Sequence, residues 1–134
     1  MDAKERNGSE EKSFKAAVIT VSDEGARGER VDESGTAAKA MLEEAGYEVV
    51  ETLIIPDEPE ELKTELIRLA DEVRADLVVT SGGTGLSMRA QTPEATLAVA
   101  DRLAPGIVEA IRDQPMAVPN RPIRRQCIFG LRSM

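Results

Sequence analysis

The chain has 134 residues, with 17 basic and 25 acidic side chains, a net charge of −8, a single cysteine (Cys127) and no histidine. That length predicts one domain over 14–134 behind a polar lead-in of residues 1–13. The acidic balance argues against a general nucleic-acid binder, and the lack of histidine with a lone cysteine excludes an internal disulfide framework, a His/Cys metal site and a His-based triad.

Catalysis in such a chain must draw on carboxylates, hydroxyls, Lys, Arg, backbone amides or a hard cation such as Mg²⁺. The charge is uneven: residues 16–111 carry eight basic and twenty acidic side chains, residues 112–134 five basic and one acidic. The N-terminal residues lack an apolar signal region, and no apolar run approaches a membrane span. The expectation is a cytoplasmic protein with neither membrane nor nucleic acid as partner.

FKAAVITV (14–21) reads as a short buried strand, apolar and β-branched. A loop rich in glycine and charge, SDEGARGERVDESG, follows. In TAAKAMLEEAG the apolar positions Ala38, Met41, Leu42 and Ala45 have helical spacing, and Gly46 is placed to cap the C-terminus. YEVVETLII (47–55) is the second strand, ended by Pro56. Pro59 suits a first helical turn, and Leu62, Leu66, Leu69, Ala70 and Val73 line one face of the helix it opens.

DLVVTS (76–81) is the third strand, followed by the glycine loop TSGGTGLSMRAQTPEAT (80–96). A helix is predicted to open at Thr92 as N-cap, with Pro93 in its first turn and Glu94 near its positive end, and to run through Leu97, Val99 and Leu103. GIVEAIRD begins another short helix. From Gln114 onward three prolines break the pattern, QCIF is a weak strand signal, and Arg121, Arg124, Arg125 and Arg132 read as solvated. The β-α-β-α-β-α order predicts an α/β three-layer sandwich, a mostly parallel sheet with helices on both faces.

Ligands bind such sheets at the carboxyl ends of the strands. Those ends carry Ser22-Asp23, Asp57 and Ser81-Gly82-Gly83-Thr84-Gly85, all expected on one edge. Glycines there let backbone N–H groups form an anion-binding nest, and the helix start at Thr92 aims further N–H groups at it. Asp23 and Asp57 would repel a phosphate unless a cation such as Mg²⁺ stood between them. Plainer readings stay open: a tight Gly-Gly connection, Asp57 as cap of the helix at Pro59, and Asp23 as a turn residue.

The block TSGGTGLS…R…TPEAT, with AVITVSD before it and IIPDE between, closely resembles the molybdenum-cofactor biosynthesis family that includes the bacterial molybdopterin adenylyltransferases. The likeness covers roughly residues 15–112 in order. It implies a molybdopterin-binding α/β fold, assembled as homotrimers or hexamers, that adenylylates the terminal phosphate of molybdopterin. The co-substrate implied is ATP with Mg²⁺, pyrophosphate is released, and no tightly bound redox cofactor takes part. By position, Gly82, Gly83, Thr84 and Gly85 would hold the pterin and its phosphate, with Ser22, Asp23, Ser81, Arg89, Thr92 and Glu94 around them. Asp57 would be the catalytic, metal-assisting acid, and a metal-insertion protein of the same pathway is the implied partner.

Two features depart from the family pattern. Ala90 stands where the family loop carries an aspartate, and the end of the chain, 114–134, lacks the usual further strand with its Asn-Leu-Pro-Gly loop. The alternative is a molybdopterin-binding or assembly protein with little or no adenylyl transfer.

Overall fold

The computed structural model describes residues 13–83, 91–113 and 128–132. Strand β1 (Lys15–Val21) leads through a one-turn helix α1 (Asp23–Ala26) to helix α2 (Glu33–Glu44) and strand β2 (Glu48–Ile55). Helix α3 (Pro59–Ile67) runs on into a π turn (Arg68–Glu72), and strand β3 (Leu77–Ser81) follows. After the glycine turn come helix α4 (Thr92–Val99), the short strand β4 (Arg102–Leu103), helix α5 (Pro105–Arg112) and the short strand β5 (Gly130–Leu131).

The main sheet is parallel, in the order β2-β1-β3. Because β1 is its middle strand, both of its faces must be covered, and its residues from Ala16 to Val21 are all buried. Alternate side chains point to opposite faces. Ala17, Ile19 and Val21 join Ile55, Leu62, Leu66, Leu69 and Ala95 in one cluster beneath α3 and α4. Ala16, Val18 and Thr20 face the other way, where Thr20 meets the start of α2. Helices therefore flank both faces, as the alternation of elements predicts. Truncating a fully buried member such as Leu62 or Leu69 to alanine removes packing worth about 2–5 kcal/mol.

Several boundaries differ from the sequence reading. Helix α2 begins at Glu33, three residues before Thr36, where the predicted helical stretch starts, because Asp32 caps it by accepting the Gly35 N–H at 2.9 Å. Its C-terminus is a Schellman motif, with Gly46 N–H on Glu43 O and Tyr47 N–H on Leu42 O. The apolar stripe of α2 is only partly covered, Met41 being 70% exposed. Helix α4 starts at Thr92 as its first helical residue, with Gln91 as N-cap, and stops at Val99. Leu103 belongs to β4, not to that helix.

The chain between Asp23 and Ala26, expected as loop, makes a helical turn. Near the C-terminus Gly130–Leu131 forms a strand antiparallel to β4; of the expected QCIF strand, Ile128 and Phe129 are not part of it and Gln126 and Cys127 lie outside the described residues. Arg132 is engaged, not merely solvated: it pairs with Asp71 at 2.9 Å and donates to the Val99 carbonyl at 2.7 Å. Asp71 is held below the usual carboxylate range by that guanidinium. The N-terminal lead-in and Arg121, Arg124 and Arg125 lie outside the described residues.

Candidate functional site

Parallel pairing puts the carboxyl ends of β1, β2 and β3 on one edge, so Ser22-Asp23, Asp57 and Ser81-Gly82-Gly83 share it. Ser22 continues the β1–β2 ladder by donating its N–H to Ile55 O at 2.9 Å, and its hydroxyl caps α1 by accepting the Gly25 N–H at 3.0 Å. Asp23 opens α1, and its carboxylate accepts the backbone N–H of Asp57 at 2.8 Å. The two acids are thereby tied across adjacent strand ends. Asp57 is not the cap of α3; that position is Glu58.

On the other side of β1 the chain turns through Gly82 (φ +94°) and Gly83 (φ +65°), both left-handed. Neither position accepts a side chain. A β-carbon on Gly82 would lie 2.2 Å from the Val21 carbonyl oxygen, and one on Gly83 would lie 2.0 Å from Thr92 Oγ1. Gly83 O accepts the Thr92 N–H at 3.0 Å, which fastens the turn to the start of α4. Thr92 is 3% exposed, and among the described residues its hydroxyl finds no partner. A buried orphan hydroxyl beneath a glycine turn is unusual, since such groups are nearly always satisfied. Glu94 is exposed in the first turn of α4. Thr84, Gly85, Arg89 and Ala90 lie outside the described residues.

A cavity of about 320 Å³ opens on the α2 side of this edge. Ser22, Ser81 and Gly82 line it, and so do Thr20, Asp32 and Ser34, which the sequence reading passed over. Thr20 lies in β1, Asp32 caps α2 and Ser34 stands in its first turn; in the sequence the last two fall in a charged run that reads as a solvated loop. Asp32 Oδ2 accepts the Thr20 hydroxyl at 3.0 Å, while Ser81 donates to Ser34 at 3.0 Å and bridges β3 to α2. Gly35 permits the close approach: a β-carbon there would lie 2.1 Å from Asp32 Oδ2.

The edge thus divides into three parts: paired acids beside β2, a glycine turn over Thr92, and a polar cavity against α2. Among the described residues no group of three or more His, Cys, Asp or Glu side chains gathers to hold a metal ion. Mg²⁺ does not require such a cage, because it binds through one or two carboxylates plus substrate phosphates. The carboxylates of Asp57 and Asp23 at adjacent strand ends are donors of that class. No described helix is long and apolar enough to cross a membrane.

A family model described as a probable molybdopterin binding domain matches residues 17–131. The molybdopterin adenylyltransferase of Haemophilus influenzae is 40% identical over 116 residues, covering 84% of this chain and 59% of that protein. The Escherichia coli enzyme of the same name is 37% identical over 118 residues, covering 85% of this chain and 60% of that one. The chain therefore spans about three-fifths of the length of these relatives. Among solved structures, the molybdopterin biosynthesis enzyme MoaB of Thermus thermophilus superposes with a TM-score of 0.77 at 39% identity, covering 89% of this chain and 75% of that one. The tungsten cofactor synthesizing protein MoaB of Pyrococcus furiosus gives 0.68 at 40% identity, covering 75% and 61%. With its fold, its glycine turn and the match over 17–131 in agreement, the chain belongs to the molybdenum-cofactor biosynthesis family of molybdopterin-binding domains.

Proposed function

We propose that this protein binds molybdopterin at the carboxyl edge of its sheet and adenylylates the terminal phosphate of that pterin with ATP. The observation that carries the reading is the meeting of the glycine turn, the buried Thr92 hydroxyl and the Asp23–Asp57 pair at one edge. The names of the relatives support it. In the transfer, a molybdopterin phosphate oxygen attacks the α-phosphorus of ATP. A new P–O–P bond forms, the bond to the β-phosphate bridging oxygen breaks, and pyrophosphate leaves.

Each part of the edge has a task in this reaction. Backbone N–H groups of the Gly82-Gly83 turn hold a phosphate; at the start of α4 the Thr92 N–H is already given to Gly83 O and Pro93 has none. The Thr92 hydroxyl donates to one of its oxygens, which resolves the missing partner. Asp57, held in place through its N–H by Asp23, faces the phosphates as a carboxylate. Magnesium, when bound, neutralises the charge that develops on the phosphates. The nucleophile is already an anion, so positioning and charge neutralisation suffice without histidine. Thr84, Gly85, Arg89 and Glu94 are proposed as further substrate contacts, in keeping with the family resemblance.

The protein is proposed to work in the cytoplasm, where ATP is available, as a homotrimer or hexamer, and to deliver its product to a metal-insertion protein. The exposed side chains of Leu103, Ile107 and Ile111 support burial against other copies. Ala90 favours a second reading, a molybdopterin carrier with little or no transfer, because the family carboxylate is missing there. The two are separated by supplying molybdopterin, ATP and Mg²⁺ and following pyrophosphate and adenylylated pterin. Product above background supports the enzyme, tight binding without product supports the carrier, and no binding overturns both.

A further inference from the structure

We propose that Arg30 receives a phosphate group of the ligand at this edge and that Glu24 holds its place beforehand: the incoming phosphate displaces the Glu24 carboxylate from the Arg30 guanidinium. The inference rests on the reading above, that phosphate-bearing ligands bind here, and names a residue that selects them by charge.

A phosphate entering this edge meets a negative surface. Asp23 and Asp57 stand beside β2, and Asp32 and Glu33 line the cavity. Carboxylates repel a phosphate at short range. Residues 16–111 carry eight basic side chains, yet among the described residues that line the cavity Arg30 is the only base. Gly82, whose turn is proposed to hold phosphate, lines the same cavity. An anion at that turn and the Arg30 side chain therefore share one space.

Arg30 is engaged, but in a contact that is easily exchanged. Its Nη2 lies 2.6 Å from Glu24 Oε2, and the two side chains are 68% and 49% exposed. Exposed pairs of this kind contribute little, because water screens the attraction and two long side chains lose freedom. A phosphate monoester carries between one and two negative charges and offers paired oxygens to the planar guanidinium fork. It therefore competes well against a single carboxylate. Arg27 is not an equivalent candidate, since it is paired with Glu29 and does not line the cavity.

The exchange needs side-chain rotation only. Glu29 N–H is bonded to Glu24 O at 2.8 Å and Gly28 N–H to Gly25 O at 3.1 Å, so the loop stays fastened to α1 while the two side chains turn. Glu24 also sets a threshold. A monovalent anion or a carboxylate gains nothing by replacing it, whereas a phosphate does.

The test titrates the full chain by calorimetry with two probes, ATP with Mg²⁺ and molybdopterin, which tells the two sources of phosphate apart. Arg30→Gln should weaken one of them by about tenfold, as expected when a hydrogen bond between charged groups is lost, and should flatten the salt dependence of its binding. Glu24→Gln should tighten the same ligand by roughly two- to fivefold, the worth of an exposed ion pair. That gain should disappear in the Arg30→Gln background, where no guanidinium is left to release. Affinity for both probes unchanged in either single variant overturns the proposal. So does a Glu24→Gln gain that persists without Arg30, because Glu24 would then act only by repelling the ligand. Both side chains are exposed, and thermal melts verify that the variants are folded. A wild type that binds neither probe removes the reading of the site and this inference with it, whereas wild-type binding that Arg30→Gln leaves intact removes only the inference.

Discussion

The carboxylate of Asp23 accepts the backbone N–H of Asp57 at 2.8 Å, joining residues 34 apart in sequence across the ends of β1 and β2. A carboxylate spent on a main-chain N–H sets the position of that main chain, and here the main chain carries the proposed catalytic acid. Asp23 is thus a positioning residue for Asp57. Asp23→Ala should lower stability by about 1.5–3 kcal/mol, the range for a hydrogen bond to a charged group, in urea unfolding. It should lower kcat for adenylyl transfer more than it weakens pterin binding. Asp23→Asn, which keeps an acceptor oxygen, should recover most of both. An Asn variant as impaired as Ala would show that the charge matters rather than the link.

The Gly83–Thr92 contact makes a second prediction with opposite signs for stability and binding. Thr92→Val replaces a buried hydroxyl that has no partner among the described residues by a methyl of the same shape. Stability should stay within about 0.5 kcal/mol of wild type or rise, because no hydrogen bond is lost on substitution. Binding of the phosphorylated pterin should fall about tenfold, as expected when one charge-assisted donor is removed. A stability loss with unchanged affinity would mean that the hydroxyl serves the fold.

Gly83→Ala should be far more damaging than a glycine-to-alanine change on the surface. It combines a left-handed backbone with a β-carbon placed 2.0 Å from Thr92 Oγ1. The expected cost is about 1–3 kcal/mol from backbone strain alone, with loss of phosphate binding. Adding Thr92→Ala relieves the clash but not the strain, so thermal melts of the double variant should show partial recovery.

Ala90→Asp restores the carboxylate that the family resemblance places in this loop. Turnover should rise by an order of magnitude or more while pterin affinity changes little, because an interaction made only in the transition state moves kcat and not binding. An unchanged rate would show that the missing carboxylate is not what limits transfer.

Acid sensitivity is predicted at the outer edge of the sheet. Glu51 on β2 pairs with Arg68 of the π turn, which also bonds Glu65 at 2.7 Å. The guanidinium bond holds Glu51 below the usual carboxylate range. A group whose folded pKa is depressed stabilises the fold above its unfolded pKa, and the contribution is lost as pH falls through the folded value. Stability should therefore decline below about pH 4.3, the ordinary glutamate value. Glu51→Gln should flatten the decline in urea midpoints measured across that range; an identical slope would place the acid sensitivity elsewhere.

The parts of this edge differed in how far they could be read in advance. The glycine turn and the helix start at Thr92 were visible because Gly-Gly and Thr-Pro-Glu carry strong local backbone preferences. Ser22, Asp23 and Asp57 were visible only as strand ends, and the bond between two of them was not. Asp32 was missed altogether. It lies in GERVDESG, a charged run that reads as a solvated loop, and its importance comes from Thr20, twelve residues earlier on a buried strand.

Local information in the sequence determined the type and order of the elements: apolar β-branched runs for β1 and β3, helical spacing for α3, and glycine where the backbone turns left-handed. Periodicity and backbone sterics act over a few residues and need no partner. Tertiary structure alone decided that β1 lies in the middle of the sheet, that Asp23 grips Asp57, and that Asp32 is held by Thr20 and Gly35 beside a cavity. Those outcomes depend on which distant surfaces exclude water from one another and which donors then remain within reach, and no local pattern encodes that allocation.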